Sequence, residues 1–206
     1  MAVILVDHPL AQHLLNSLRD CNTEPLRFRQ LARQLSTILI LEATRDLPLT
    51  QRPITTPLTD MTANFLGHGL AVVPILRAGL AMLESALELF PDVAVGYVGL
   101  ERDHATAEAS SYYCKLPHLV GRTTLLVDPM LATGGSACQA IDLLKDNGAK
   151  TVVFVSVIAA PEGIARVEAS HPDTKIFTAS IDERLNDVKY IVPGLGDFGD
   201  RMYGTM

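Results

Sequence analysis

Leu125-Leu126-Val127-Asp128-Pro129-Met130-Leu131-Ala132-Thr133-Gly134-Gly135-Ser136 is the stretch whose reading decides the fold of this 206-residue chain. Its apolar run does not alternate, so Thr123–Val127 is expected to be a strand buried on both faces. Asp128 closes that strand. Thr133, Gly134 and Gly135 then turn the chain into an expected helix, Ser136–Asn147, with Ala137, Ala140, Ile141 and Leu144 on one face and Gly148 as its stop. The glycines allow a tight turn with outward-facing N–H groups. Thr133 and Ser136 add hydroxyl donors, and the helix N-terminus adds partial positive charge. Together these form a cup for a phosphate monoester, and Asp128 is placed to accept hydrogen bonds from ribose hydroxyls. A glycine-rich turn with an incidental Asp is the plainer alternative. No Gly-Lys-Ser/Thr follows, which disfavours a nucleoside-triphosphate loop.

Outward from this stretch, strands and helices alternate. Leu70–Ile75, Val93–Val98, Thr151–Ile158 and Lys175–Ser180 read as further short apolar strands. Ala78–Leu89 and Glu162–Ser170 read as helices between them. Such alternation implies an α/β fold, a mostly parallel sheet covered by helices, with ligands beyond the carboxyl ends of the strands. Two helices open the chain. Pro9–Asp20 starts with a favourable Pro, and Leu26–Thr44 carries Phe28, Leu31, Leu35, Ile38 and Leu39 as an apolar stripe. Leu47–Thr59, with Pro48, Pro53 and Pro57, reads as an extended arm or irregular hairpin. Crossing to a second subunit and lying as a surface loop fit it equally. The expected plan is one domain over 1–206: helices at 1–46, an arm at 47–68, a core at 69–180 and a C-terminal segment at 181–206.

Composition agrees with a folded domain: 48% hydrophobic, 19% charged and 5% aromatic residues suit α/β layers. The formal net charge of −6 argues against a nucleic-acid or membrane-surface binder. Cys21, Cys114 and Cys138 are odd in number and widely spaced, which indicates neither a disulfide framework nor a zinc site and suits a reducing cytoplasm. Met1–His8 lacks a basic region and makes a poor signal peptide. The apolar run Val152–Pro161 is too short to span a bilayer.

Three further segments carry chemistry. In Val72-Val73-Pro74-Ile75-Leu76-Arg77-Ala78-Gly79-Leu80, Arg77 ends a buried strand just before a helix. A cation is mildly unfavourable there, and a planar fork of donors for phosphate oxygens is what it offers in return. Arg102–Lys115 is long and polar, with Tyr112 and Tyr113 near its end; a lid and a solvated loop fit it equally. Tyr190-Ile191-Val192-Pro193-Gly194-Leu195-Gly196-Asp197-Phe198-Gly199-Asp200-Arg201 exposes much backbone, suited to reading a flat heterocycle with alternating donors and acceptors. Its apolar residues argue against a frayed tail. The six histidines form no metal-ligand spacing.

Taken together, Val127–Ser136, Val73–Gly79, Ala159–Ile164, Thr178–Asp182, Pro193–Asp197 and the start, His8-Pro9-Leu10 with Arg27-Phe28-Arg29, resemble the uracil phosphoribosyltransferases. The resemblance covers nearly the whole chain, and Pro129, where related families carry a second acidic residue, is typical of the uracil branch. It implies a type I phosphoribosyltransferase fold with a C-terminal hood, residues 181–206, that binds the base. It implies transfer of the 5-phosphoribosyl group of PRPP to uracil, giving UMP and pyrophosphate. Asp128, Pro129, Met130, Leu131, Ala132, Thr133, Gly134, Gly135 and Ser136 would hold the 5′-phosphate and ribose. Arg77 and Arg102 would hold pyrophosphate. Ile191, Gly196, Asp197 and Phe198 would surround uracil, with Asp197 also near PRPP and its Mg²⁺, an ion carried by PRPP and reached through water rather than held by protein ligands. Arg77, Asp128 and Asp197 are the candidate catalytic residues. A homo-oligomer, dimer or tetramer, and activation by GTP are also implied. Three departures stand out: Phe198 where Ala is common, no Tyr before the Arg of the lid, and a poor match from Leu47 to His68. A uracil-nucleotide-sensing, RNA-binding regulator of the same fold is the alternative, and the acidic net charge speaks against it. A purine enzyme would want the acidic pair that Pro129 interrupts.

Overall fold

The computed structural model describes residues 3–102 and 109–205, with side chains at 3–100 and 112–205. The chain begins with strand β1 (Val3–Leu5) and helices α1 (Pro9–Arg19) and α2 (Pro25–Ala43). The hairpin strands β2 (Leu49–Thr55) and β3 (Asp60–Leu66) follow. Next come β4 (Gly69–Leu76), α3 (Leu80–Leu89), β5 (Ala94–Val95), β6 (Tyr97–Arg102), β7 (Ala109–Lys115), β8 (Arg122–Val127) and β9 (Met130–Leu131). The rest is α4 (Gly135–Asp146), β10 (Thr151–Ala159), α5 (Pro161–Ser170), β11 (Lys175–Ile181), β12 (Arg184–Leu185), β13 (Ile191–Val192) and α6 (Phe198–Tyr203).

The main sheet runs β1-β11-β10-β8-β4-β6-β7, with β5 beside β4 and β9 beside β10. Every pairing in it is parallel except β6 with β7. Helices cover both faces, as a sheet of non-alternating apolar strands requires. One layer packs Leu15 and Leu18 of α1, Phe28, Leu31 and Leu35 of α2 and Met82 of α3 on Val72, Leu125 and Val155. The other packs Ala140, Ile141 and Leu144 of α4 and Val167 of α5 on Val73, Leu126 and Phe154. Each fully buried Leu, Val or Phe contributes about 1.5–3 kcal/mol, so these two layers dominate stability.

The mostly parallel α/β architecture is the one expected, with instructive differences. The expected strand Val93–Val98 is two pieces, Ala94–Val95 and the start of Tyr97–Arg102, and Gly96 between them donates its N–H to the Val72 carbonyl of β4 at 3.0 Å. The polar segment between strands is partly strand itself: β6 extends to Arg102, and β7 returns antiparallel from Ala109. Residues 103–108, the middle of the expected lid, lie outside the described residues. β1 was not anticipated; three residues are too few to show a period, and it is fixed by pairing Val3–Leu5 with Ile176–Thr178. The arm is a regular hairpin, paired from Leu49↔Leu66 to Thr55↔Asp60.

Candidate active site

Three strands, β4, β8 and β10, deliver their carboxyl ends to one edge of the sheet. At the end of β8 the backbone is tied down before the glycine loop begins. Asp128 N–H donates to the Val155 carbonyl at 3.1 Å, the Pro129 carbonyl accepts from Val157 and Ile158, and Ala160 N–H donates to Leu131 at 2.8 Å. The loop is therefore a rigid extension of β10 rather than a free turn. Pro129 and Leu131 are buried, and their carbonyls are taken up by N–H groups of β10 and of Ala160 just after it. Gly134 takes φ +75 as the N-cap of α4, a left-handed conformation that favours glycine.

The Arg77 loop sits against the same point. Gly79 N–H donates to the Ile75 carbonyl at 2.9 Å. A Cβ on Gly79 would stand 2.5 Å from the Val127 carbonyl and 2.7 Å from Ile75 N, so a glycine is needed for the loop to seat beside Asp128. The Leu76–Arg77 peptide is cis. Arg77 itself is exposed, at the mouth. Arg102 ends β6, the neighbour of β4 on this edge.

The opposite wall is the C-terminal segment. A cleft of about 280 Å³ lies between the two. Ala78, Asp128, Met130 and Ala132 line it on the sheet side; Ile191, Gly196, Asp197 and Phe198 face them. Residues assigned from sequence to the sugar and to the base thus share one cavity. Thr133 to Ser136 follow in the same loop and do not line the cleft. Phe198 touches the cleft, yet its ring is only 1% exposed and stands edge-on to Phe28 at 5.0 Å. Its bulk is absorbed by the core rather than by the cleft. Asp197 Oδ1 accepts from Asp200 N–H at 2.9 Å, capping α6.

Two buried networks hold this wall, and neither was legible in the sequence. Asp182 receives Arg19 Nη2 at 2.5 Å, Ser180 Oγ at 2.7 Å and the Gly194 N–H at 2.9 Å, while Arg19 Nη1 donates to the Gly194 carbonyl at 2.6 Å. Burial pushes the Asp182 carboxyl up, but the donors Arg19, Ser180 and Gly194 outweigh it and hold it below its ordinary value. Arg201 is satisfied by carbonyls: those of Leu18 at 2.5 Å, Leu195 at 2.7 Å and Asp20 at 2.6 Å, with its guanidinium 4.6 Å over Phe28. Burial lowers its pKa. Tyr203 Oη reaches the Arg77 carbonyl at 3.5 Å, linking α6 to the other wall. Val188, Lys189 and Tyr190 also line the cleft and were not singled out as site residues. The signal available was their position directly before Ile191; the left-handed φ of +66 at Lys189 has none in the sequence.

Among the described residues no group of three or more His, Cys, Asp or Glu side chains is placed to hold a metal ion. Two carboxylates, those of Asp128 and Asp197, line the cleft.

The chain is similar to known proteins over nearly its whole length. A family model described as uracil phosphoribosyltransferase matches residues 4–205. The uracil phosphoribosyltransferase of Dictyoglomus turgidum is 52% identical over 205 residues, 98% of this chain and 99% of that protein. Among solved structures, the AQ2163 protein from Aquifex aeolicus matches with a TM-score of 0.94 at 39% identity, covering 98% of each chain. The orotate phosphoribosyltransferase of Mycobacterium tuberculosis, in complex with PRPP, shares the fold at a TM-score of 0.51 and 16% identity, covering 85% of this chain and 90% of that one.

Proposed function

Because the chain belongs to the uracil phosphoribosyltransferase family, we infer that it transfers the 5-phosphoribosyl group of PRPP to uracil, giving UMP and pyrophosphate in pyrimidine salvage. The observation that carries this at the site is the single cleft between Asp128 and the Ile191–Phe198 backbone.

In the reaction the C1′–oxygen bond to pyrophosphate breaks and uracil N1 bonds to C1′ from the opposite face. The electron pair leaves with pyrophosphate, the weakly acidic N1 proton passes to solvent, and no residue is assigned as its base. The transition state has oxocarbenium character, so the protein's task is to hold the reactants in line and to neutralise the leaving group. We assign Asp128 to the ribose hydroxyls and the loop through Thr133, Gly134, Gly135 and Ser136 to the 5′-phosphate. Arg77 and Arg102 are assigned to pyrophosphate. Ile191, Gly196, Asp197 and Phe198 are assigned to uracil, chiefly through backbone groups; the buried ring of Phe198 supports that reading. Mg²⁺ would arrive on PRPP, with Asp197 of the cleft wall meeting it through water, and would neutralise pyrophosphate charge.

We further propose a cytoplasmic homo-oligomer. Three unpaired cysteines, Cys21 and Cys114 exposed and Cys138 buried, support a reducing compartment. Among the described residues no helix is long and apolar enough to cross a membrane. Activation by GTP rests on the family resemblance alone. Nothing supports the RNA-binding alternative.

PRPP turnover against a panel of bases tests the reading. Uracil is the accepted base; cytosine, hypoxanthine and adenine are not. Comparable turnover of hypoxanthine would overturn the assignment of the base wall.

A further inference from the structure

The phosphate loop is short of charge. No Lys or Arg occurs between Asp128 and Ser136, so the loop itself offers only N–H groups, hydroxyls and a helix terminus. A phosphate monoester brings about −1.5 to −2 charges at neutral pH, while a helix terminus supplies roughly +0.5. A neighbouring cation would close much of that gap.

Helix α5 is seated directly on the loop. Gly163 makes this possible: a Cβ there would fall on the Ala132 carbonyl oxygen and stand 2.9 Å from that of Leu131. Three residues further on, on the same face of the helix, is Arg166. A Cβ on Gly134 would lie 3.2 Å from Arg166 Cβ. One on Gly135 would lie 3.2 Å from Arg166 Nη1 and 3.7 Å from the Thr133 hydroxyl. The guanidinium therefore stands over the first residue of α4, where the loop's donors converge. Its natural partner on the helix, Glu162 at i−4, is engaged elsewhere, accepting the Leu185 N–H at 2.9 Å. Among the described residues Arg166 makes no ion pair or hydrogen bond. An exposed cation held beside a ring of anion donors, with no protein anion of its own, is poised for a phosphate.

We propose that Arg166 is a phosphate-binding residue, the cation that α5 supplies to the 5′-phosphate of PRPP and UMP. This rests on the reading of Thr133–Ser136 as the 5′-phosphate loop. Arg166 then acts on binding of the phosphate end and not on departure of pyrophosphate, which lies on the Arg77 side.

Steady-state kinetics on Arg166→Ala and Arg166→Lys test it, with ribose 5-phosphate and pyrophosphate as separate inhibitors. In the Ala variant the KM for PRPP and the Ki of ribose 5-phosphate each rise about tenfold, the effect of one charge-assisted contact. The kcat, the KM for uracil and the Ki of pyrophosphate stay within about twofold. The Lys variant, which keeps the charge, recovers part of the loss and serves alone if the Ala variant does not fold; its Ki for ribose 5-phosphate then rises while that for pyrophosphate does not. A general packing role would instead lower the melting temperature and move both inhibitors together, and that result overturns the proposal. So does a ribose 5-phosphate Ki that fails to move in the folded variants. Wild-type protein that makes no UMP defeats the functional reading above, whereas active wild type with unmoved ribose 5-phosphate constants defeats this proposal alone.

Discussion

Arg77 and Asp128 illustrate what single residues disclose. Each ends an apolar run at the mouth of a parallel sheet, where a charge has no structural use, so both could be singled out from the sequence. Charge builds on pyrophosphate as its bond to C1′ breaks, and a forked guanidinium should favour that state over bound PRPP. Arg77→Lys keeps the charge and loses the fork, so kcat is expected to fall at least about tenfold, or about 1.4 kcal/mol, with a smaller change in PRPP affinity. Steady-state kinetics beside calorimetric binding of PRPP decide between the roles; a preserved kcat with weakened affinity would make Arg77 a binding residue only. Asp182, Arg19 and Arg201 are the opposite case. Arg19 and Asp182 meet across 163 positions and Arg201 reaches Leu18 across 183, and no local pattern marks these pairings.

Elements were legible where their period was long or their punctuation strong. α2, α4 and the buried strands satisfied both conditions. β12 and β13, of two residues each, satisfied neither. They form because the neighbouring loop is bolted to β11 and α1 through Asp182. That bolt has a pH signature. The folded carboxyl titrates below its ordinary value of 3.8, so the stabilisation is complete above that value and is lost as pH falls through the lowered folded value. Asp182→Asn strands the Arg19 guanidinium and weakens its grip on Gly194. Since Arg19 is 20% exposed, a loss of about 2 kcal/mol is expected, less than the 3–5 kcal/mol typical of a fully buried pair. Acid titration of thermal stability checks this: the wild type should lose stability below about pH 4, and the difference between wild type and variant should shrink there. A constant difference down to pH 2 would contradict it.

At the scale of the whole molecule, composition and order of motifs placed the chain in its fold, because a two-faced parallel sheet leaves its mark on every strand. Contacts outside the chain left little trace. The β2–β3 hairpin projects as a two-stranded sheet of its own, with Leu58 95%, Leu49 59% and Met61 47% exposed. Isolated hairpins are marginally stable in water, and apolar side chains on one invite a second surface. Replacing residues 50–65 by a short turn is therefore expected to convert a dimer or larger assembly to monomer in sedimentation experiments, while the core keeps its melting transition. An unchanged mass would assign the hairpin another role.

The web around Arg201 also has a consequence in time. It fastens α6 to the carbonyls that close α1, so this wall of the cleft is assembled from elements more than 180 positions apart. Domains take shape during synthesis as their parts emerge, N-terminal parts first. A chain whose β-strands and Gly134 turn are already made, but in which Arg201 has yet to emerge, lacks the side chain that holds the Leu195 carbonyl. The wall formed by Ile191 to Phe198 is thus expected to close after the sheet that it faces.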